Sequence, residues 1–149
     1  MIDPNVDHVG IVVPQLEAAV EALSEYIGVQ WTETVEPMFP MHDDVHGTRE
    51  VKLRIANSTL YPRLELIEAL PDSPWALSEG AGMVLHHLAF FAADLAEDSS
   101  NVAGPCPIEI AGAGPDGDIP TIFTYHVHNG LRFELLDPLL RQGSIEQFR

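Results

Sequence analysis

The chain has 149 residues, 46% hydrophobic and 20% charged, enough to bury a real core in one compact domain. Its formal net charge of −16 argues against nucleic acid or anionic membrane partners, because long-range repulsion slows both encounters. A halophilic source is another cause of such acidity. The lone Cys106 excludes an internal disulfide. Met1-Ile2-Asp3-Pro4-Asn5 lacks the basic and apolar regions of a secretion signal. No apolar run approaches the roughly 20 residues that span a bilayer, so the expected location is the cytoplasm.

In chain order, residues 6–13 predict a first strand, with His8, Gly10 and Val12 on one face and Val9, Ile11 and Val13 on the other. Leu16, Ala19, Val20, Leu23 and Ile27 recur at helical spacing, and Gly28 is placed to end that helix. Trp31–Val35 suits a strand. Pro37, Pro40, Asp43 and Asp44 suit a loop, within 36–48, that borders a site. Residues 49–55 alternate cleanly, with Val51, Leu53 and Ile55 on an apolar face and Glu50, Lys52 and Arg54 on a polar one. Asn57-Ser58 reads as a turn before a closing strand over 60–68.

Residues 73–82, inside a polar stretch from Pro71 to Gly82, form a connector. A second strand then opens at Leu85, followed by a short helix near Leu95–Val102. A Gly- and Pro-rich loop, 104–120, contains a short strand at Ile108-Glu109-Ile110. Thr121–His128 and Leu131–Leu136 flank Asn129-Gly130, a strong hairpin signal. The tail after Pro138 reads as a loose end.

Two features of this order matter most. The strand beginning at His8 is repeated by the one at His87, and the closing strand Arg63–Leu70 by Arg132–Leu139. The chain is therefore one module written twice, 1–72 and 83–149, with His…Glu in each copy. Glu65 and Glu134 each sit between apolar neighbours, where an ionised carboxylate is costly unless paired or bound to a metal. Bringing together His8, Glu65, His87 and Glu134 solves this with a mixed nitrogen/oxygen site for a divalent ion. His86 is expected on the opposite face as a structural residue. Glu68 and Asp137 are expected to be exposed, and His126 and His128 are read as surface residues, with His126 within reach of a site on the same sheet.

Asp7-His8-Val9-Gly10-Ile11-Val12-Val13, His86-His87-Leu88-Ala89-Phe90 and Phe133-Glu134-Leu135-Leu136 resemble the vicinal oxygen chelate superfamily. The resemblance implies an α+β fold of two tandem βαβββ modules, their sheet curled around one divalent metal (Co, Mn, Ni, Zn or Fe) held by His8, Glu65, His87 and Glu134. Residues 46–53 and the run from Leu77 into His86 resemble the methylmalonyl-CoA epimerase branch. That implies a metal-dependent epimerase or isomerase that removes an α-proton and passes through a stabilised enolate. Glu50 is the candidate base, with Glu134 as the alternative. A glyoxalase I-like lyase acting on a hemithioacetal, a metal-free binding protein and an iron dioxygenase are the competing activities. The implied partner is a small molecule such as a thioester, with the chain as a homodimer; its substrate-binding residues are unassigned. Arg49, Lys52, Arg54 and Arg63 either hold an anionic tail on that substrate or balance local charge.

Overall fold

The computed structural model describes residues 1–141. The elements run β1 (His8–Val13), α1 (Leu16–Ile27), β2 (Met38–Asp43), β3 (Gly47–Lys52), β4 (Ile55–Asn57) and β5 (Arg63–Glu68). They continue with β6 (Val84–Phe91), α2 (Leu95–Val102), β7 (Ile108–Gly112), β8 (Thr121–His128) and β9 (Leu131–Leu136). All nine strands form one mixed sheet, ordered β3-β2-β7-β8-β9-β6-β1-β5-β4. The first and last strands of that order, β3 and β4, are separated in the chain only by Leu53 and Arg54. The sheet must therefore curl until its ends approach.

The repeat is visible in the strand pairing. β1 and β6 lie side by side and antiparallel, with His8 opposite Ala89 and Gly10 opposite His87. Each is flanked by its own parallel closing strand, Gly10 opposite Glu65 and Ala89 opposite Glu134. Alternation then sends His8, Glu65, His87 and Glu134 to the inner face with Val12, Ile67, Ala89 and Leu136. Outward residues of the same strands lie under the helices. Val13 and Leu66 pack with Leu16 and Ala19 of α1, and Leu135 packs with Leu95 of α2.

The helices are closed by local chemistry. Gly28 adopts φ 75°, and the cap backbone N–H groups reach Leu23 O and Ser24 O. No side chain of Gln15 caps α1. Instead Glu68, expected to be exposed, is half-buried and accepts from Leu16 N at 2.9 Å. Asp94 caps α2 by accepting from Glu97 N.

Several expected elements are corrected. Trp31–Val35 makes only isolated bridges, Trp31 to Ser58 and Val35 to Ile55, because its ends pack into different cores. The stretch read as a loop contains β2, whose Phe39 and Met41 are buried. Pro40 is tolerated there because its carbonyl accepts from Ala113 N, which places its missing N–H on the sparsely paired side of β2. The strand read over 49–55 is broken at Leu53-Arg54, though its apolar and polar faces are as expected. Asn57 and Ser58 are buried rather than a turn. The connector carries Trp75, 1% exposed, into the inner core. Pro138–Arg141 forms a 3-10 turn with Leu140 against that core, and the rest of the expected loose end lies outside the described residues.

Candidate metal centre

Four donor atoms meet on the inner face. His8 Nε2 lies 3.1 Å from His87 Nε2 and 3.0 Å from Glu134 Oε2. His87 Nε2 lies 3.2 Å from the same oxygen, and Glu65 Oε2 is 3.6 Å from His8 Nε2. The ligand atoms of His8, Glu65 and His87 all fall within 4.8 Å of one another. Donors bound at about 2.0–2.2 Å to a common ion are spaced about 3.0–3.5 Å apart, which matches this cluster.

The residue before each histidine sets its tautomer. Asp7 Oδ2 lies 2.9 Å from His8 Nδ1 and also accepts from Arg63 at 2.7 Å. His86 Nε2–H donates to Pro74 O at 2.7 Å, which leaves its Nδ1 to accept from His87 Nδ1–H at 2.9 Å. Burial first, then the positive charge of Arg132, push the His86 pKa down to about 3, so it stays neutral in this role. Both ligand imidazoles thus present an Nε2 lone pair inward, the arrangement metal-binding histidines need. His86 is therefore not on the opposite face. The register of β6 shifts between its partners Gly10 and Ile11, a bulge that leaves His86 unpaired beside His87.

Two lone-pair nitrogens and two carboxylates pointing at one another require a cation between them. The close contacts of Glu134 Oε2 do not have hydrogen-bond geometry, and this buried oxygen has no hydrogen-bond partner. A divalent ion satisfies all four. Without one, a proton takes its place. Burial opposes the charged form of His8, but the Glu65 charge, the Asp7 hydrogen bond and Glu134 outweigh it and raise its pKa to about 10. Glu134 is buried too, yet the neighbouring His87 and His8 hold its pKa down to about 2.

Metal uptake at neutral pH is therefore expected to release about one proton from His8, and affinity to rise with pH up to that value. Calorimetry in buffers of different ionisation enthalpy measures the proton directly. For the metal-free protein, the raised His8 pKa gives stability that is complete below pH 6.5 and is lost as pH rises through about 10. The depressed Glu134 pKa gives stability that is complete above pH 4.5 and is lost as pH falls through about 2. Denaturant titrations across pH are expected to show both edges.

His8, Glu65 and Glu134 line a cavity of about 370 Å³, and His87 is fully buried beside Glu134. Tyr125, opposite Glu134 on β8, lines it, and its hydroxyl accepts from Trp75 Nε1–H at 3.1 Å. Glu50 does not line this cavity; it stands exposed on the outer face of β3, opposite Pro40. His126 is fully buried but faces α2, held by Ser99, Thr124 and the Cys106 carbonyl, so it neither lies on the surface nor reaches the centre. His128 is exposed, with Nδ1 donating to Pro105 O. Asp7, His86, Trp75 and Tyr125 were missed from sequence. For the first two a signal existed, since each immediately precedes a repeated histidine.

A duplicated, curled sheet with a mixed nitrogen/oxygen centre on its inner face defines a metal-chelating fold of the vicinal oxygen type. The chain belongs to the glyoxalase/bleomycin resistance protein/dioxygenase superfamily, whose sequence profile matches residues 7–104. That superfamily commonly binds a divalent metal. No curated protein matches the sequence. Among solved structures, methylmalonyl-CoA epimerase from Mycobacterium tuberculosis superposes with a TM-score of 0.60 at 18% identity, covering 93% of this chain and 92% of its own. A variant of the Streptomyces coelicolor methylmalonyl-CoA epimerase bound to 2-nitronate-propionyl-CoA gives 0.60 at 23% identity, covering 89% and 96%. A hypothetical protein from Bacillus halodurans gives 0.60 at 18%, covering 91% and 95%. At these identities the likeness is one of fold. No helix among the described residues is long and apolar enough to cross a membrane.

Proposed function

We propose that the protein is a metal-dependent epimerase or isomerase, similar in chemistry to methylmalonyl-CoA epimerase, that moves the α-proton of a small carbonyl substrate. The convergence of His8, Glu65, His87 and Glu134, three of them lining a largely apolar cavity, carries this reading. Those four side chains would hold one divalent ion, of cobalt, manganese, nickel, zinc or iron. Such an ion supplies a Lewis acid that stabilises negative charge on a substrate oxygen.

The chain's own residues do the rest. Glu134 takes the α-proton at Oε1, the carboxylate oxygen outside the donor cluster, and the electron pair of the broken C–H bond passes into the enolate. A second proton, carried by Glu65 in the position equivalent to Glu134 by the repeat, is delivered to the opposite face of that carbon; this leaves Glu134 protonated and Glu65 ionised until exchange with solvent resets both. Asp7 and His86 hold the imidazoles in register, and the apolar walls limit protonation by water. Glu50 is exposed and absent from the cavity lining, which favours Glu134 as the base. A thioester carbonyl, as in the substrates named for the structural neighbours, has the required acidified α-hydrogen. The equivalence of Glu65 and Glu134 also supports a second reading, a glyoxalase I-like lyase acting on a hemithioacetal. Either enzyme would work as a cytoplasmic homodimer.

Elemental analysis of the purified protein beside His8→Ala and Glu134→Ala tests the proposal. About one metal per chain is expected in the wild type and little in either variant. Solvent deuterium should then enter the α-carbon of thioesters or of hemithioacetal products. A wild type that takes up no metal after exposure to any of the five ions would reduce the protein to a binding module of the same fold.

A further inference from the structure

The cavity leading to the donors is unusual for a site that handles charged acids. Phe39, Leu53, Ile67, Phe91, Phe123 and Leu136 form its walls, all of them buried or nearly so. Its volume of about 370 Å³ falls in the range of small-molecule pockets. Arg63 is the one arginine or lysine on its lining, and Asp7 already holds that side chain at 2.7 Å. Its Nε–H is buried without a partner, out of reach of a bulky anion. A second carboxylate on the substrate would sit beside Glu65 and Glu134, with only Arg63, already paired with Asp7, on the wall to oppose their charge.

Nothing among the described residues is arranged to hold phosphates outside the cavity either. The four basic residues of 49–63 are all engaged. Arg54 meets Glu17, Glu36 and Glu68, Lys52 meets Glu36, and Arg49 donates to Asp72 O. Beyond them, Arg132 is bidentate to Glu109 and Arg141 meets Asp3. Helix N-termini, the other common phosphate sites, are already occupied by carboxylates: Glu68 on α1, Asp94 and Asp98 on α2. With a net charge of −16, a polyanionic tail would also approach against the field of the whole protein.

We infer that the substrate is a small carbonyl compound whose α-carbon bears a neutral aryl or branched-alkyl group, and that it carries no phosphate-bearing tail. The inference rests on the proposed metal-centred reaction for where the carbonyl sits. It separates this chain's substrate class from that of a coenzyme A thioester, and it makes the basic cluster local charge balance.

The test is calorimetric titration of the cobalt-loaded full chain with hydroxamates, which chelate a metal through two oxygens. Phenylacetohydroxamate is expected to bind at least roughly tenfold tighter than acetohydroxamate, as burial of a phenyl group allows. Malonomonohydroxamate should bind no tighter than acetohydroxamate, and millimolar coenzyme A at low salt should not compete. Competition by coenzyme A, or a preference for the malonyl probe, would overturn the inference. Failure to load cobalt would instead overturn the proposed reaction. The cavity is then tested by itself, with phenylacetamide against acetamide on the metal-free chain, followed by tryptophan fluorescence. Preference for the phenyl compound supports the apolar-substrate inference, and equal binding overturns it.

Discussion

Glu134→Gln is expected to lower α-proton exchange by roughly 10²–10⁴-fold, the range over which a positioned general base contributes. The substitution keeps the shape of the side chain and removes its ability to hold the proton. Glu134 is 7% exposed, and its Oε2 is the buried acceptor left without a hydrogen bond. A glutamine there still offers an oxygen donor, so some metal is expected to remain, and exchange should fall further than metal content. Glu65→Gln should slow exchange by a different pattern. If the two carboxylates serve opposite faces of the enolate, each variant keeps proton exchange from one enantiomer more than from the other. Glu50→Gln should change neither metal content nor exchange, since its side chain is exposed on the outer face of β3. Exchange measured by proton NMR in deuterium oxide, on both enantiomers of one substrate, separates these outcomes. Loss of exchange in Glu50→Gln alone would return the base to the position the sequence resemblance favoured.

That disagreement over Glu50 shows where sequence reading was strong and where it was not. Alternation over residues 49–55 already placed Glu50 with Lys52 and Arg54 on the polar face, and the structure puts it there. Resemblance to an epimerase segment names Glu50 as the base, while the local period gives only its face. In β1 the same period put His8 on a face with Gly10 and Val12, and the repeat grouped His8, Glu65, His87 and Glu134 as a set, which the structure brings together. Legibility failed where long-range pairing or a broken period decided the matter. β2 is hidden by Pro37, Pro40 and two aspartates, and it exists because it pairs with β3 and is flanked by β7, some 70 residues further on. His86 leaves its expected face because of a bulge, which no alternation rule reveals. Trp75 sits in a polar connector and is buried only because the sheet curls over it.

Gly10→Ala should damage the centre from a residue that touches no metal. The repeat is nearly symmetric, but at this position it carries Gly10 in one copy and Ala89 in the other, each facing the opposite copy's histidine across the β1–β6 pair. A Cβ on Gly10 would fall inside the ring of His87, overlapping Cε1, Nδ1 and Nε2. The ring has little freedom to move away. Its side chain is 0% exposed, it packs on Tyr125 at 5.0 Å, and its Nδ1 is tied to His86. One methyl group therefore forces either the imidazole out of the cluster or β1 away from β6. Overpacking of this kind costs roughly 1–3 kcal/mol of stability. Turning a ligand ring away from its supporting hydrogen bond costs roughly 10–100-fold in metal affinity or more. The reciprocal change, Ala89→Gly, removes a methyl group that already fits beside His8. It should cost only roughly 0.5–1 kcal/mol through backbone entropy and leave metal affinity near that of the wild type. Thermal melts and metal titrations of the two variants read out the asymmetry. Equal metal affinity in both would mean that His87 can leave the point where the four donors meet without cost, and the centre as described would not stand.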